Sequence, residues 1–348
     1  MPTATGAPWN VAKAFALFGL MTLIVAAASP AAAKSFGPPA PFAFRDRLFD
    51  VTYASESVAV AVGYPGKVFR SEDAGKSWSL VAIDTTEPLF SVFFLNDRVG
   101  WIGGRKGLVF KTEDAGKTWA KQKSDKEEHI FDLHFANERV GLAVGNFGAV
   151  FRTSDGGATW TYQQLEAMSS GTIYRVHMFD ENNAVLCGEY PTWESQLDES
   201  VSADTLSSFF RTTDGGATWT RLPMPTTSHL FGMTFAGAND GYVTGSKGLL
   251  LRTTDGGANW TSIATGSEFH LLDVFAQPDG AVAAVGNAGL AVRAENGAAT
   301  VVTTGEYFSI VANAFNAKGQ GIAVGDHGLV MLSADGGKSW TRLANDAP

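Results

Sequence analysis

From Leu48 to Leu343 the chain repeats one phrase of apolar and polar positions. In the copy that starts at Ile130, apolar residues alternate with polar ones in short runs broken by Gly, Asn and Asp, the signature of half-buried strands joined by tight turns. The phrase predicts strand A over Ile130 to Phe135, a turn at Asn137-Glu138 and strand B over Gly141 to Val144. Gly145-Asn146-Phe147-Gly148 then turns the chain into strand C, Ala149 to Arg152, and a second turn leads to strand D from Thr159. No copy carries a convincing helical period.

The copies align on a tryptophan. Trp78, Trp119, Trp160, Trp219, Trp260 and Trp340 are separated by 41, 41, 59, 41 and 80 residues, and each closes the pattern Ser/Thr-x-Asp-x-Gly-x-x-Trp with Asp73, Asp114, Asp155, Asp214, Asp255 and Asp335. The 80-residue interval holds a decayed copy, Ala294-Glu295-Asn296-Gly297-Ala298, which makes seven units. A second motif, Gly-x-x-Gly, recurs at Gly63/Gly66, Gly104/Gly107, Gly145/Gly148, Gly245/Gly248, Gly286/Gly289 and Gly325/Gly328, where glycine is expected to supply the positive φ of a tight hairpin. Only the fourth unit lacks it. A unit of about 40 residues with four strands is a propeller blade. The fold class is therefore all-β, a seven-bladed β-propeller of four-stranded antiparallel blades with Asp-box turns, and it occupies residues 47–344 as one domain. In each box the carboxylate is expected to accept hydrogen bonds from its own turn, the glycine to take the strained φ and the tryptophan to fill the core. Boxes spread around a ring cannot converge on one substrate, so they read as structural.

Composition narrows the classes further. Of 348 residues 39 are Gly and 9 are Trp, while charged residues reach only 18%, below the usual value of about 25%. Disordered and coiled-coil classes are excluded by this profile. A single cysteine, Cys187, excludes an internal disulfide, a cysteine zinc cluster and a CxxC redox centre. The net charge of −9 argues against nucleic acid as a partner. Residues 1–33 read as a signal peptide, with Lys13 before the apolar run Ala14 to Ala28 and a small-residue cleavage site at Ala31-Ala32-Ala33. An uncleaved anchor is the alternative. Residues 34–46 form an N-terminal extension and 345–348 a tail. Export is expected, to the periplasm or to a lumenal or extracellular space, as a monomeric propeller that does not itself span the membrane once the leader is removed and is membrane-associated through its partner.

The boxes, with the run Gly-x-x-Gly-x-[Val/Leu]-Phe-Arg-[Ser/Thr] before them, resemble the BNR/Asp-box propellers. In layout the chain is similar to the photosystem II stability and assembly factor-like family, single seven-bladed propellers behind an export signal. The resemblance covers nearly everything from Leu48 to Leu343 and implies a non-enzymatic factor that binds a membrane protein complex. It also implies a basic partner-binding patch, to which no run of this sequence corresponds.

Candidate binding residues lie on the face opposite the boxes, built from the B-to-C hairpins and D-to-A crossovers. There the fourth unit carries an acidic insertion, 189–206, with Glu189, Tyr190, Trp193, Glu194, Asp198 and Glu199. Loops that depart from a rigid repeat are usual carriers of binding. The residue before strand A is Arg47, Pro88, His129, Thr172, His229, His270 and Ser309 in successive units, and Asp50, Asp132, Arg175 and Asp273 lie further along the inner strands. Glu87, Glu127, Glu128, Arg105, Lys106 and Lys247 join them from the loops. Tyr190, Trp193, Glu194, Asp198, Glu199, Arg105, Lys106, His129, Arg175, His229 and His270 are the partner-binding candidates. No metal site and no cofactor are expected, because equivalent histidines are spread around the axis. A basic residue recurs eight positions before the box tryptophan (Arg70, Lys111, Arg152, Arg211, Arg252, with Arg293 in the decayed copy) and reads as a bridge between blades. The sequence contains no nucleophile elbow, HExxH, P-loop or dinucleotide fingerprint, so no enzyme is expected. The alternative is a secreted glycan-binding or glycoside-hydrolysing, sialidase-like propeller, with carboxylates from Glu189, Glu194, Asp198 or Glu199 and stacking on Trp193 or Tyr190; the sialidase-type Arg-Ile-Pro element is absent.

Overall fold

The computed structural model describes residues 46–122, 124–190, 208–277 and 279–343. These form seven four-stranded antiparallel sheets, each made of consecutive strands A to D. Blade 3 follows the expected phrase closely: Ile130–Phe135, Gly141–Gly145, Ala149–Thr153 and Thr161–Gln164. Its strand D starts two residues later than expected because the box turn stays closed through Thr159. The expected edge strand at Phe42 to Arg45, the leader and most of the insertion lie outside the described residues. Glu189, placed by sequence at the start of the insertion, is the last residue of strand B of blade 4, Ala184–Glu189.

The core lies between blades rather than within one. Trp101 and Val109 of blade 2 pack with Phe135 and Phe151 of blade 3, and Trp101 stacks on Phe135 with ring centroids 3.6 Å apart. The same interleaving closes the ring, where Leu48, Val51 and Phe69 of blade 1 pack with Ala312, Ile322 and Val324 of blade 7. No strand is exchanged at this seam among the described residues. Instead, Asn316 of blade 7 donates to the Glu56 carbonyl at 2.7 Å, Lys318 pairs with Glu56 at 2.7 Å, and Arg47 pairs with Asp326 at 2.6 Å.

The boxes are hydrogen-bonded turns. Asp155 Oδ1 accepts from Thr153 Oγ1 and the Thr159 N–H, Oδ2 accepts from Thr159 Oγ1 at 2.6 Å, and the Gly157 N–H donates to Thr153 Oγ1. The pattern repeats at Asp73, Asp114, Asp214, Asp255 and Asp335. Asn259 stands where other boxes have Ser or Thr and donates to Asp255, so Asn259-Trp260-Thr261, which has the form of a glycosylation sequon, is part of the repeat. Donors from Thr159, Thr218 and Asn259 hold Asp155, Asp214 and Asp255 below the usual carboxylate range. At Asp73, Asp114 and Asp335 partial burial pushes the other way and the turn's donors prevail. Each box also anchors its own A-to-B turn, as when the Ala74 N–H donates to the Ser57 carbonyl at 2.8 Å.

Boxes join neighbouring blades as well. Arg70 Nε donates to the Ala115 carbonyl at 2.7 Å and Arg293 to the Gly336 carbonyl at 3.1 Å, each reaching the next blade's box turn as expected for the basic column, whereas Lys111 pairs with Glu113 and Arg252 with Asp240 of their own blades. Trp101 Nε1 does the same to the Gly156 carbonyl at 3.0 Å. In the Gly-x-x-Gly hairpins the second glycine takes the expected positive φ, 66° at Gly107, but the first does not. The first glycine is needed for close approach: a Cβ on Gly104 would lie 2.7 Å from the Pro88 carbonyl oxygen. Cys187 is buried and its thiol is pushed up to about 12 by desolvation, a small apolar residue in use.

Trp101 is fully buried and hydrogen-bonded across an interface, whereas Trp219 is half-buried. Trp101→Ala is predicted to cost about 3–5 kcal/mol in urea unfolding, and Trp219→Ala clearly less. Equal costs would show that burial between blades is not what holds the ring.

Candidate functional site: the mouth of the central channel

Every strand A carries a one-residue bulge near its start, marked by register shifts at Leu48/Asp50, Leu89/Ser91, Ile173/Arg175, Leu230/Gly232, Leu271/Asp273 and Ile310/Ala312, and opposite Val144/Gly145 in blade 3. A bulge re-aims the side chains around it. The bulged residues are Phe49, Phe90, Phe131, Tyr174, Phe231, Leu272 and Val311. Five are aromatic, and each touches the next, with centroids 5.3, 5.0, 5.8 and 5.8 Å apart from Phe49 to Phe231. An aromatic collar thus runs through blades 1 to 5. Sequence reasoning missed it, although its signal is present: a Phe or Tyr two residues after the rim position in five units.

Above the collar sits the rim. His129 Nδ1 accepts the Lys106 N–H at 3.4 Å, and His270 Nδ1 accepts the Lys247 N–H at 3.0 Å, so each histidine is tied to the preceding blade's B-to-C hairpin. Burial, joined by Arg105 at His129 and by His229 at His270, holds both below the usual histidine range, and both act as neutral acceptors. Blade 4 lacks that hairpin, and His229 instead faces Glu189, Nδ1 to Oε1 3.1 Å. Tyr174 of the collar donates to the other Glu189 oxygen at 2.8 Å. Glu189 is therefore occupied as a positioning group. Lys106 pairs with Glu87 at 2.7 Å and Arg105 lies 3.5 Å from it, both cations remaining substantially exposed. Tyr190 packs on the blade 4 core, and Trp193, Glu194, Asp198 and Glu199 lie outside the described residues.

Below the collar the equivalent positions read Asp50, Ser91, Asp132, Arg175, Gly232, Asp273 and Ala312. Each aspartate reaches the next blade's inner strand: Asp50 accepts from the Val92 N–H, Asp132 from Val176 and Asp273 from Asn313, at 2.8 to 2.9 Å. Arg175 passes blade 5 and pairs with Asp273 of blade 6 at 3.1 Å. Blade 5 has Gly232 in this layer, and a Cβ there would come within 2.8 Å of Asp273 Cα. Three acids thus face one guanidinium. Burial pushes Asp50 up to about 8 and Asp132 up to about 6, each against the pull of Arg175, and raises Asp273 too. Burial works against the Arg175 charge, but Asp273, Asp132 and Asp50 outweigh it and raise its pKa. Deeper still, His134 and His177 lie ring to ring at 4.5 Å, both held neutral by burial, a pair the sequence reading did not single out. Among the described residues no three His, Cys, Asp or Glu side chains are grouped as metal ligands would be.

The molecule is thus an Asp-box propeller whose inner strands converge on a layered channel mouth, and the side chains its repeat does not require gather there. A family model, photosynthesis system II assembly factor YCF48, matches residues 39–127 and 202–300, together more than half of the chain, and the protein belongs to that family. Among solved structures, "YCF48 bound to D1 peptide" aligns at TM-score 0.64 and 18% identity over 87% of this chain and 99% of that one. YCF48 from Cyanidioschyzon merolae aligns at 0.66 and 19%, over 84% and 97%. A GH74 xyloglucanase from Xanthomonas campestris aligns at 0.69 and 12%, over 89% of this chain and 56% of the enzyme. At these identities the structures share the fold. The chain matches no curated protein sequence. No helix among the described residues is long and apolar enough to cross a membrane.

Asp50 has its folded pKa raised above the unfolded value of about 3.9. Its contribution to stability is therefore complete below that value and is lost as pH rises through about 8. Asp50→Asn is predicted to flatten the decline of unfolding free energy between pH 4 and pH 8, measured by urea titration at several pH values. Parallel wild-type and mutant profiles would contradict the channel electrostatics.

Proposed function

We propose that the protein is a non-enzymatic, exported assembly or stability factor that binds a membrane protein complex through the face opposite the Asp boxes. Family membership carries this reading. A solved relative of the same fold is bound to D1 peptide, which supports a segment of a membrane protein as the kind of ligand. The fold supports the choice of face. On the box face the box carboxylates are engaged in their own turns, as Asp73 is with Ser71 and Ser77. The mouth offers exposed cations at Arg105 and Lys106, an aromatic collar, and the place where the insertion departs from blade 4. Export is part of the proposal, on the strength of the leader in the sequence, and Trp193, Glu194, Asp198 and Glu199 of the insertion are proposed to take part in binding.

The glycan reading has less behind it, since Glu189 already serves Tyr174 and His229 and the xyloglucanase shares the fold alone. Tagged protein incubated with detergent-solubilised membranes is expected to retain a specific protein complex. Reversing both Arg105 and Lys106 to Glu should lower recovery about tenfold, the effect of ~1.4 kcal/mol. Reversing Lys76 and Lys117 beside the boxes should leave it unchanged. Hydrolysis of aryl glycosides that disappears in Glu194→Gln would contradict the reading, as would equal recovery by all variants.

A further inference from the structure

Blade 6 holds the decayed repeat, and its outer edge differs from the others in consequence. Strand C, Ala291–Glu295, joins strand D, Ala298–Val302, through Asn296-Gly297 with φ of 53° and 79°. This is the two-residue type I′ turn of a regular hairpin rather than a box. Strand D is 5 residues long, whereas the outer strands of the other blades have 2 to 4. Its sequence, Ala-Ala-Thr-Val-Val, has no charge and no proline, the features that ordinarily stop a sheet edge from accepting another strand.

The register identifies which main-chain groups are free to bond outward. A two-residue turn makes Glu295 and Ala298 a hydrogen-bonded pair, and bonded pairs then alternate along the ladder as Arg293/Thr300 and Ala291/Val302. The N–H and C=O of Ala299 and Val301 consequently point away from strand C. Beside this edge lies a groove of about 490 Å³ lined by Phe269, Val301 and Tyr307. These are three of the six large apolar side chains exposed among the described residues, Tyr307 at 90%. The charged side chains of the lining are both acidic. Glu306 is paired with Arg342 at 3.2 Å, while Glu268 is exposed and has no ion-pair partner among the described residues.

We propose that the outer edge of blade 6 is a strand-addition site for an extended apolar segment of another protein that carries a lysine or arginine beside its apolar residues. Main-chain bonds to Ala299 and Val301 set the register, alternate apolar side chains enter the groove between Phe269 and Tyr307, and the cation meets Glu268. A second copy of this chain suits the edge less well, because a two-fold pairing sets one acidic lining beside the other in a protein of net charge −9. The site is separate from the channel mouth and does not depend on the partner proposed there.

The test uses the full chain and fluorescein-labelled peptides of alternating threonine and valine, ended by lysine or by glutamate, read by anisotropy. The lysine-ended peptide should bind saturably and the glutamate-ended one about fivefold or more weakly. Val301→Pro removes an outward N–H without touching the ladder to strand C, so it should weaken binding about fivefold or more while the thermal unfolding curve stays cooperative. Glu268→Lys should reverse the preference between the peptides, and Arg105→Glu at the channel mouth should change nothing. Absence of saturable binding, equal binding to Val301→Pro, or an unreversed preference in Glu268→Lys would overturn the proposal. So would sedimentation showing a dimer that Val301→Pro dissolves, since the occupant would then be a second copy.

Discussion

A four-stranded blade has apolar side chains on both of its faces, and water can be kept from both only by a blade on each side. The rest of the structure follows from that constraint. Phe69 and Trp101 are fully buried because a neighbouring blade covers them, and the packing of blade 1 on blade 7 is one more interface of the same kind, without an exchanged strand. The boxes serve the constraint on one face of the propeller. Asp73 and its counterparts fix each turn, and Arg70, Trp101 and Arg293 bond to the next turn along, so the box face is a belt of small closed structures.

At the other end the same geometry has a different result. Strands A converge on the axis, and the bulge in each re-aims a residue that would otherwise enter the core. Equivalent positions thereby become rings: polar rim, aromatic collar, acidic layer. Asp50, Asp132 and Asp273 staple inner strands through the neighbour's N–H groups, as the boxes do through outer turns, but they are acids held in a largely enclosed place beside one arginine. Structural need accounts for each bond there. It does not account for a run of touching aromatic rings from Phe49 to Phe231, and that run is the reason the mouth, rather than the boxes, is proposed as the binding face.

Much of this was legible in the chain. A tryptophan recurring at intervals of 41 residues, stretched at the insertion and doubled at the decayed copy, with four alternating runs per unit gives blade number, strand order and the boundaries of blade 3 almost to the residue. The basic column before the boxes reads as bridging, and Arg70 and Arg293 bridge while Lys111 and Arg252 pair within their own blades. What the sequence concealed was geometry within strand A. Phe49, Phe90 and Phe131 sit among Leu, Val and Ile and look like core, because period-two reading assumes an unbroken ladder, and a bulge displaces the face by one residue. The rim histidines read as channel groups in the sequence, yet His129 and His270 are tied to hairpin N–H groups that only the folded ring brings near. Likewise Gly104 reads as a turn glycine, while the fold uses it to let the Pro88 carbonyl pass. Blade 6 was legible as decay of the box and not as gain of a long bare edge, since exposure of that edge depends on Phe269 and Tyr307 from the two flanking crossovers.

The mouth as partner face is tested most directly by a photo-crosslinking amino acid placed in turn at Phe90, at Lys106 and at Lys76 in protein mixed with detergent-solubilised membranes. The account predicts a discrete crosslinked membrane protein from Phe90 and Lys106 and none from Lys76 beside the box. A crosslink from Lys76 alone would contradict it.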